Sequence, residues 1–237
     1  ILIQTFKDFE FIIIDDCSTD KTNQIIKSYN DPRIRIIENE KNMGLTKSLN
    51  KGIKLVRGEY IARMDADDIS LPERFVKQIK FMEENPEIAM CGTWAKSFGE
   101  NNNTWAFPRD NEQIKCRLLF GPAHAHSTLF IRKNFIDKEL YFYNESYQTA
   151  QDYELWARLS QRFKLANMRC VLLYKRTHSN AIGSCLGSLQ EKSSKKIREF
   201  QLKNTGLSFP AEWVDIYSSI ADNKFRPSLN NLNIGRD

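Results

Sequence analysis

The sequence has no apolar run that approaches the roughly 18 residues needed to span a bilayer, so it predicts no membrane-spanning helix. It has no Cys-x-x-Cys pair and no internal repeat, which excludes the usual zinc modules and solenoids. Its five cysteines are scattered, and this favours a reducing compartment over a disulfide framework. The 41% hydrophobic and 27% charged residues are ordinary for a globular protein.

The sequence also lacks a large excess of one charge sign, because the formal net charge is only +5. The basic residues that do cluster lie in the stretch from Lys192 to Arg198. Such a stretch favours an anionic membrane surface or a phosphate-bearing substrate, although a solvated helix face explains it too. The lysines are not interleaved with a recognisable nucleic-acid module, so no nucleic-acid partner is predicted.

Strand and helix patterns alternate over the first part of the chain, which predicts an α/β fold with a doubly wound parallel sheet. Apolar runs predict strands at Phe9–Ile14, at Ile34–Ile37, between Gly58 and the acids that begin at Asp65, and at Ile88–Cys91. Past Thr93 the pattern changes and becomes aromatic and polar. We therefore divide the chain into residues 1–92, residues 93–185 and a basic, then polar, extension at residues 186–237.

Two of the predicted strands end in carboxylates. Asp15 and Asp16 follow the first, and Asp65, Asp67 and Asp68 follow the third. The carboxyl ends of parallel strands form the ligand-binding edge of such sheets. Carboxylates this close repel one another unless hydrogen bonds or a divalent cation such as Mg²⁺ or Mn²⁺ offset the charge. A solvated acidic turn is the alternative.

Four motifs in order resemble glycosyltransferase family 2, from about Gln4 to about Ser184. They are Asp15-Asp16-x-Ser18-x-Asp20, Asn42-x-Gly44, Gly58-Glu59-Tyr60-Ile61 before Asp65-x-Asp67-Asp68, and Asp152-Tyr153-x-Leu155-Trp156. Each motif is weak alone, and their order and spacing make the resemblance specific. It implies a GT-A fold, with a Rossmann-like, mostly parallel sheet, a nucleotide-sugar-binding first half and an acceptor-binding second half.

The resemblance also implies roles for the donor side. Asp16, next to Asp15, would contact the base edge, and the alternative is a helix-capping acid. Asn42 and Gly44 would shape the loop near the nucleotide, and Asp65 would lie near the ribose. The divalent cation that bridges the donor diphosphate would be bound by Asp67 and reached by His178, for which a structural hydrogen bond is the alternative.

On the acceptor side, the resemblance makes Asp152 the catalytic base, which takes a proton from the attacking hydroxyl. A simple N-cap of the following helix is the alternative. The family often has an acid at the preceding position, where this chain has Gln151. We favour a structural or acceptor-site role for His126, and a core position for Trp156.

The resemblance implies a metal-dependent, inverting glycosyltransferase that builds a bacterial-type surface polysaccharide. Its partners would be a nucleoside-diphosphate sugar, with a UDP-sugar favoured, and a glycan or lipid-linked acceptor. A cytoplasmic location follows, with peripheral contact at the membrane left open. A nucleotidyltransferase and an inactive nucleotide-sugar-binding protein are the alternatives. Release of nucleoside diphosphate, rather than pyrophosphate, would distinguish a glycosyltransferase from a nucleotidyltransferase.

One departure from the family concerns the start of the sequence. The family begins with a strand and a turn that contact the nucleotide, and nothing here matches them. Ile1 to Phe6 resembles the end of a helix, so we expect the true N-terminus to lie upstream. The sequence would then lack a central strand and part of the nucleotide pocket.

Overall fold

The structure is a computed structural model that describes residues 1–135, 143–178, 187–206 and 210–222. Cys185 and part of the tyrosine-rich loop expected around Tyr141 lie outside the described residues, as does the polar end of the chain. Among the described helices, none has both the length and the apolar character needed to cross a membrane.

Fifteen regular elements make up the described chain apart from short 3-10 turns. The strands are β1 Phe11–Asp15, β2 Ile34–Glu38, β3 Tyr60–Ala62, β4 Ile69–Ser70, β5 Ile88–Gly99, β6 Thr104–Trp105, β7 Phe130–Arg132 and β8 Lys164–Thr177. The helices are α1 Thr22–Lys27, α2 Leu45–Leu55, α3 Arg74–Glu84, α4 Asn111–Phe120, α5 Gln151–Leu159, α6 Gly187–Lys203 and α7 Ala211–Ala221. The predicted α/β class is confirmed.

The strands form two sheets. Strands β1 and β2 pair in parallel, while the larger sheet has the order β3-β7-β5-β8-β4, with β6 on β5. Only β5 and β8 are parallel in the larger sheet. The described pairing is therefore mixed rather than mostly parallel. Strands β4 and β7 each enter the sheet directly from a loop or turn, and such entries permit antiparallel pairing.

The longest ladder joins β5 to β8, from Ile88 opposite Lys164 to Gly99 opposite Thr177. Strand β5 runs through residues 92 and 93, where the sequence pattern changes. Its first half is fully buried and its second half alternates between buried and more exposed residues. The division of the chain at residue 92 stays a prediction.

Helix α5 packs its apolar face into the main core beside this ladder. The predicted stripe is confirmed, since Tyr153, Trp156 and Leu159 are buried and Phe163 packs against them. The hydroxyl of Tyr153 donates to the carbonyl of Leu118 at 2.5 Å, which ties α5 to α4. The stripe fixes the axis of α5, and so the position of the acid in its first turn.

Two helical surfaces differ from the sequence-based expectation. The apolar spacing on α1 does not produce a buried face, because Ile25 and Tyr29 are 57% and 58% exposed. The basic stretch on α6 also has fewer exposed charges than its sequence indicates. Arg198 is buried and paired with Asp222, the residue directly after α7, because the helix turns that side toward α4 and the end of α7. Periodicity does not reveal which side of a helix has a neighbour.

A groove of about 900 Å³ lies between β1 and β3. Its apolar wall includes Ile12, Ile14, Ile53, Ile61 and Phe75. Within the described chain β1 pairs only with β2 and β3 only with β7, so each strand keeps one unpaired edge. The expectation that a central strand is missing stays a prediction, and this groove is where such a strand would fit.

We expect an upstream extension that supplies the strand to raise the melting temperature and to lower the fluorescence of a bound hydrophobic dye. The reason is that an added strand would cover apolar surface and pair exposed backbone groups. Thermal unfolding and dye titration of the 237-residue chain and the extended chain measure both effects. Equal melting temperatures and equal dye binding would contradict the expectation.

Candidate functional site

The acidic turn after β3 is organised by one buried arginine. Arg63 is 8% exposed and forms an ion pair with Asp65. The hydroxyl of Ser127 donates to the other oxygen of Asp65 at 2.8 Å. Burial alone would raise the pKa of Asp65, but the charge and hydrogen bonds of Arg63 hold it well below its usual range. Asp65 is therefore ionised and fixed in place.

Asp68 stabilises the same turn from its buried side. It is 8% exposed, and its Oδ1 accepts a hydrogen bond from the backbone amide of Arg176 at 2.9 Å. Burial raises the pKa of Asp68. Its Oδ2 is buried and has no hydrogen-bond partner within the described chain. Asp68 thus connects the acidic turn to the end of β8 and is not available on the surface.

Asp67 is the exposed acid of the turn, and it faces His178. Its Oδ2 lies 3.1 Å from Nε2 of His178, although 111 positions separate the two residues in sequence. Their side chains are 45% and 38% exposed. The guanidinium of Arg176 donates to the backbone carbonyl of Asp67 at 3.1 Å and so holds the two segments together. The structure therefore brings together the two residues that were predicted to reach a metal.

The exposed pair fits a divalent cation that is shared with a substrate. Carboxylate oxygen and imidazole nitrogen both suit Mn²⁺, and Mg²⁺ is usually held by one or two carboxylates plus phosphates and water. The described residues contain no cluster of three or more His, Cys, Asp or Glu that could hold a metal by themselves. Asp67 and His178 would therefore bind a cation together with an anionic ligand, and Asp65 is already neutralised by Arg63.

Asp16 organises the other acidic cluster by binding to the start of α2. It accepts hydrogen bonds from the backbone amides of Met43 and Gly44, each at 2.8 Å, and from the side chain of Asn39 at 2.8 Å. Burial would raise the pKa of Asp16, but these hydrogen bonds lower it. Asp16 is thus a carboxylate held at the helix N-terminus, where the helix dipole favours negative charge.

The neighbouring predicted residues shape the loops around Asp16. Asp15 is buried and accepts hydrogen bonds from the amide of Ser18 at 3.0 Å and the side chain of Asn23 at 3.1 Å. Asn42 accepts a hydrogen bond from the amide of Gly44 at 3.2 Å. Gly44 has φ +83°, which strains other residues. Ligand contacts by these residues stay predictions.

Asp152 lies in the first turn of α5 and is not its N-cap. The N-cap is Ala150, with φ 57°, and no side chain caps the helix there. Oδ1 of Asp152 accepts a hydrogen bond from the amide of Tyr153 at 2.8 Å, and Oδ2 lies 4.0 Å from Nδ1 of His126. Burial raises the pKa of this carboxyl. Its side chain keeps 27% exposure, so solvent or a ligand can still reach it.

Two adjacent residues connect the acidic turn to Asp152. Ser127 binds Asp65, and His126 faces Asp152. Ser127 and Arg63 had no predicted site role. A charged residue directly after an apolar strand was a signal for Arg63, whereas nothing in the sequence distinguished Ser127 from other loop serines.

Comparisons with known proteins relate more than half of the chain to one family. The family model for glycosyl transferase family 2 matches residues 1–148. An uncharacterized glycosyltransferase from Haemophilus influenzae is 32% identical over 84% of this chain and 65% of its own length. The O-antigen biosynthesis glycosyltransferase WbnJ from Escherichia coli is 32% identical over 88% of this chain and 84% of its own length. The chain thus spans less than two thirds of the first of these relatives.

The fold matches that of a solved GT-A protein. The crystal structure of S. aureus TarS residues 1–349 with UDP-GlcNAc has a TM-score of 0.68 with this chain. The match covers 94% of this chain and 65% of the TarS 1–349 chain at 18% sequence identity, so it supports the fold alone. The expected GT-A fold is confirmed.

We expect Asp67→Ala and His178→Ala each to weaken Mn²⁺ binding about tenfold to a hundredfold when a nucleoside diphosphate is present, because each variant removes one of two ligands. Paramagnetic resonance of free Mn²⁺ measures the affinity. Asp110→Ala removes a carboxylate that is 61% exposed outside the site and should leave the affinity unchanged. Equal affinities for all four proteins would refute the assignment.

Proposed function

The chain belongs to glycosyltransferase family 2, and we propose that it transfers a sugar, with inversion, from a nucleoside-diphosphate sugar to a glycan or lipid-linked acceptor. The observation that carries the proposal is that Asp67 meets His178 in the acidic turn, while Ser127 binds Asp65 of that turn and the adjacent His126 faces the partly exposed Asp152. The similarity to the E. coli O-antigen biosynthesis glycosyltransferase WbnJ supports a role in surface polysaccharide biosynthesis.

The donor is a nucleoside-diphosphate sugar, with UDP as the favoured nucleotide. The fold shared with TarS, whose structure contains UDP-GlcNAc, supports this part of the proposal. Asp16 faces the base edge, since a carboxylate accepts a hydrogen bond from a ring N–H. Asp16 is already ionised and rigidly held, so binding requires no protonation change there. Asp65 lies on the ribose side of the acidic turn.

The diphosphate binds at the exposed pair Asp67 and His178. A divalent cation held by this pair would offset negative charge on the phosphates and on the leaving nucleoside diphosphate. The chain itself contributes Arg176, whose guanidinium stacks 4.6 Å from the ring of Phe98 and fixes the backbone of Asp67. This arrangement keeps the exposed carboxylate oriented before any ligand arrives.

Asp152 acts as the general base. An acceptor hydroxyl attacks the anomeric carbon, the new C–O bond forms as the bond to the diphosphate breaks, and the hydroxyl proton passes to Oδ2 of Asp152. The other oxygen accepts a hydrogen bond from the amide of Tyr153, and since a carboxylate oxygen has two lone pairs, Oδ2 can take the proton even with one N–H donor beside it. A single displacement of this kind inverts the anomeric centre and needs no covalent enzyme intermediate.

The C-terminal helices support a peripheral membrane contact. Lys192 and Lys196 are exposed on α6 and line a surface pocket of about 510 Å³ beside Tyr147, whereas Lys195 is paired with Asp215. Glu199 also lines this pocket and opposes anion binding. Two lysines one helical turn apart suit the phosphates of a lipid-linked acceptor or an anionic bilayer.

The first test of this function is Asp152→Asn. We expect the transfer rate to fall about a hundredfold to ten-thousandfold, because the amide cannot accept the hydroxyl proton. Donor binding should stay within a factor of about three, since Asp152 lies on the acceptor side. Isothermal titration with the donor and an assay for released nucleoside diphosphate separate the two effects. Transfer at the normal rate would remove Asp152 as the base.

The pH profile provides a second test. The base works in its ionised form, and burial raises the pKa of Asp152 above its ordinary value of 3.8. Protonation therefore begins at a higher pH than for a free aspartate, and the acidic limb of kcat/KM should have its midpoint above pH 3.8. Initial rates between pH 4 and 8 measure the limb, and a flat profile in that range would count against an aspartate base with a raised pKa.

A third test concerns the membrane contact. Lys192→Glu together with Lys196→Glu should lower affinity for vesicles of anionic phospholipid, since a basic residue near such a surface contributes about 1 kcal/mol. Sedimentation with vesicles that contain or lack anionic lipid gives the affinity. Lys77→Glu together with Lys80→Glu on α3 changes the net charge by the same amount at side chains that are 50% and 76% exposed, and this control should bind like the unchanged chain. Unchanged affinity in the Lys192 and Lys196 variant, or an equal loss in the control, would contradict the predicted surface.

A further inference from the structure

Tyr143 occupies a fixed position between the two halves of the site. Its backbone amide donates to Oδ1 of Asn50 at 2.8 Å, and its carbonyl accepts from Nδ2 of Asn50 at 2.9 Å. Asn50 is buried on α2, the helix whose first residues bind Asp16. Two hydrogen bonds from one side chain leave the backbone of Tyr143 little freedom. The position of Tyr143 therefore depends on the position of α2.

The hydroxyl of Tyr143 points at His126. The oxygen lies 2.7 Å from Nε2 of the imidazole, and the two rings meet edge to face at 5.5 Å. The ring of Trp156 also contacts the imidazole, with the two ring centroids 6.1 Å apart. The side chain of His126 is only 9% exposed. Burial and the contacts with Tyr143 and Trp156 therefore restrict rotation of the imidazole.

The protonation of His126 follows from its surroundings. Burial, reinforced by the nearby charge of Arg63, lowers its pKa well below the usual range, so the ring is neutral. A neutral imidazole has one N–H and one acceptor nitrogen. Asp152 is an acceptor when ionised and lies 4.0 Å from Nδ1. The favourable tautomer carries its proton on Nδ1 and accepts the Tyr143 hydroxyl at Nε2.

We propose that Tyr143 and His126 form a positioning pair that directs an imidazole N–H toward Asp152 and orients its carboxylate for the acceptor hydroxyl. This inference rests on the proposed function of Asp152. The distance of 4.0 Å is longer than a hydrogen bond, and we expect it to shorten when the acceptor binds. Neither residue of the pair touches the reacting atoms, so both act through Asp152.

The pair also couples the base to the donor side. Asp16 binds the start of α2, Asn50 of the same helix clamps Tyr143, and Tyr143 fixes His126. Each link is a direct hydrogen bond. A displacement of α2 upon nucleotide binding would therefore move the imidazole relative to Asp152. The orientation of the base would respond to occupation of a site on another element.

The variants Tyr143→Phe and His126→Asn test the pair. Tyr143→Phe removes the hydroxyl and keeps the ring, while His126→Asn keeps one N–H donor. We expect kcat for transfer to fall about tenfold to a hundredfold in Tyr143→Phe, because a small misplacement of a catalytic group costs about that much. The kcat should fall less in His126→Asn than in His126→Ala. The donor KM and Kd should change less than threefold in all three variants.

Nitrogen chemical shifts of His126 provide a readout that does not depend on activity. The unchanged chain should have its proton on Nδ1, and Tyr143→Phe should shift the population toward the Nε2 tautomer. Tyr29→Phe changes a tyrosine that is 58% exposed and lies outside the site, so as the control it should leave both the shifts and kcat unchanged. Thermal unfolding of each variant shows whether the fold is retained.

The outcomes separate this inference from the proposed function. An unchanged chain that binds donor but never transfers sugar would refute the proposed function, while the tautomer measurement would still decide the role of Tyr143. Normal kcat and an unchanged Nδ1 tautomer in Tyr143→Phe would overturn the inference. If Tyr143→Phe does not fold, His126→Asn and His126→Ala decide it, and equal kcat in these two would overturn it.

Discussion

The site depends on one buried positive charge. Arg63 lies beneath the acidic turn, pairs with Asp65 and donates to Ser127 at 3.2 Å. Its backbone carbonyl accepts a hydrogen bond from the fully buried Arg74 at 2.9 Å, which fixes the residue in the core. Several carboxylates cannot gather at one edge of a sheet without such compensation. An unpaired acid left there would be strongly destabilising.

The negative charge of Asp65 is offset by Arg63, and the other acids have different roles. Asp68 is buried and holds the end of β8, while Asp67 remains exposed beside His178. The same logic separates Asp152, whose environment raises its pKa, from Asp65, whose environment lowers it. Carboxylates with opposite shifts suit opposite roles, one as a proton acceptor and the other as a fixed negative charge. The difference arises from neighbours and not from residue type.

Much of the fold followed from local patterns, and the exceptions have a common cause. The strands β1, β2 and β3 and the buried stripe of α5 matched their periodicity. The exposed apolar residues of α1 and the buried Arg198 did not match. A pattern shows which residues share one side of a helix, but it does not show whether another element packs against that side. Likewise, alternation predicted parallel pairing, whereas strands that enter the sheet from loops paired antiparallel.

The sequence by itself determined the class of the fold, the acidic strand ends and the family, because these depend on short-range spacing along the chain. It also singled out Asp67, His178 and Asp152. Only the tertiary structure decided that Asp67 meets His178 across 111 positions and that Arg63 and Ser127 complete the site. Contacts between distant segments depend on packing, and packing depends on the shapes of all the elements together.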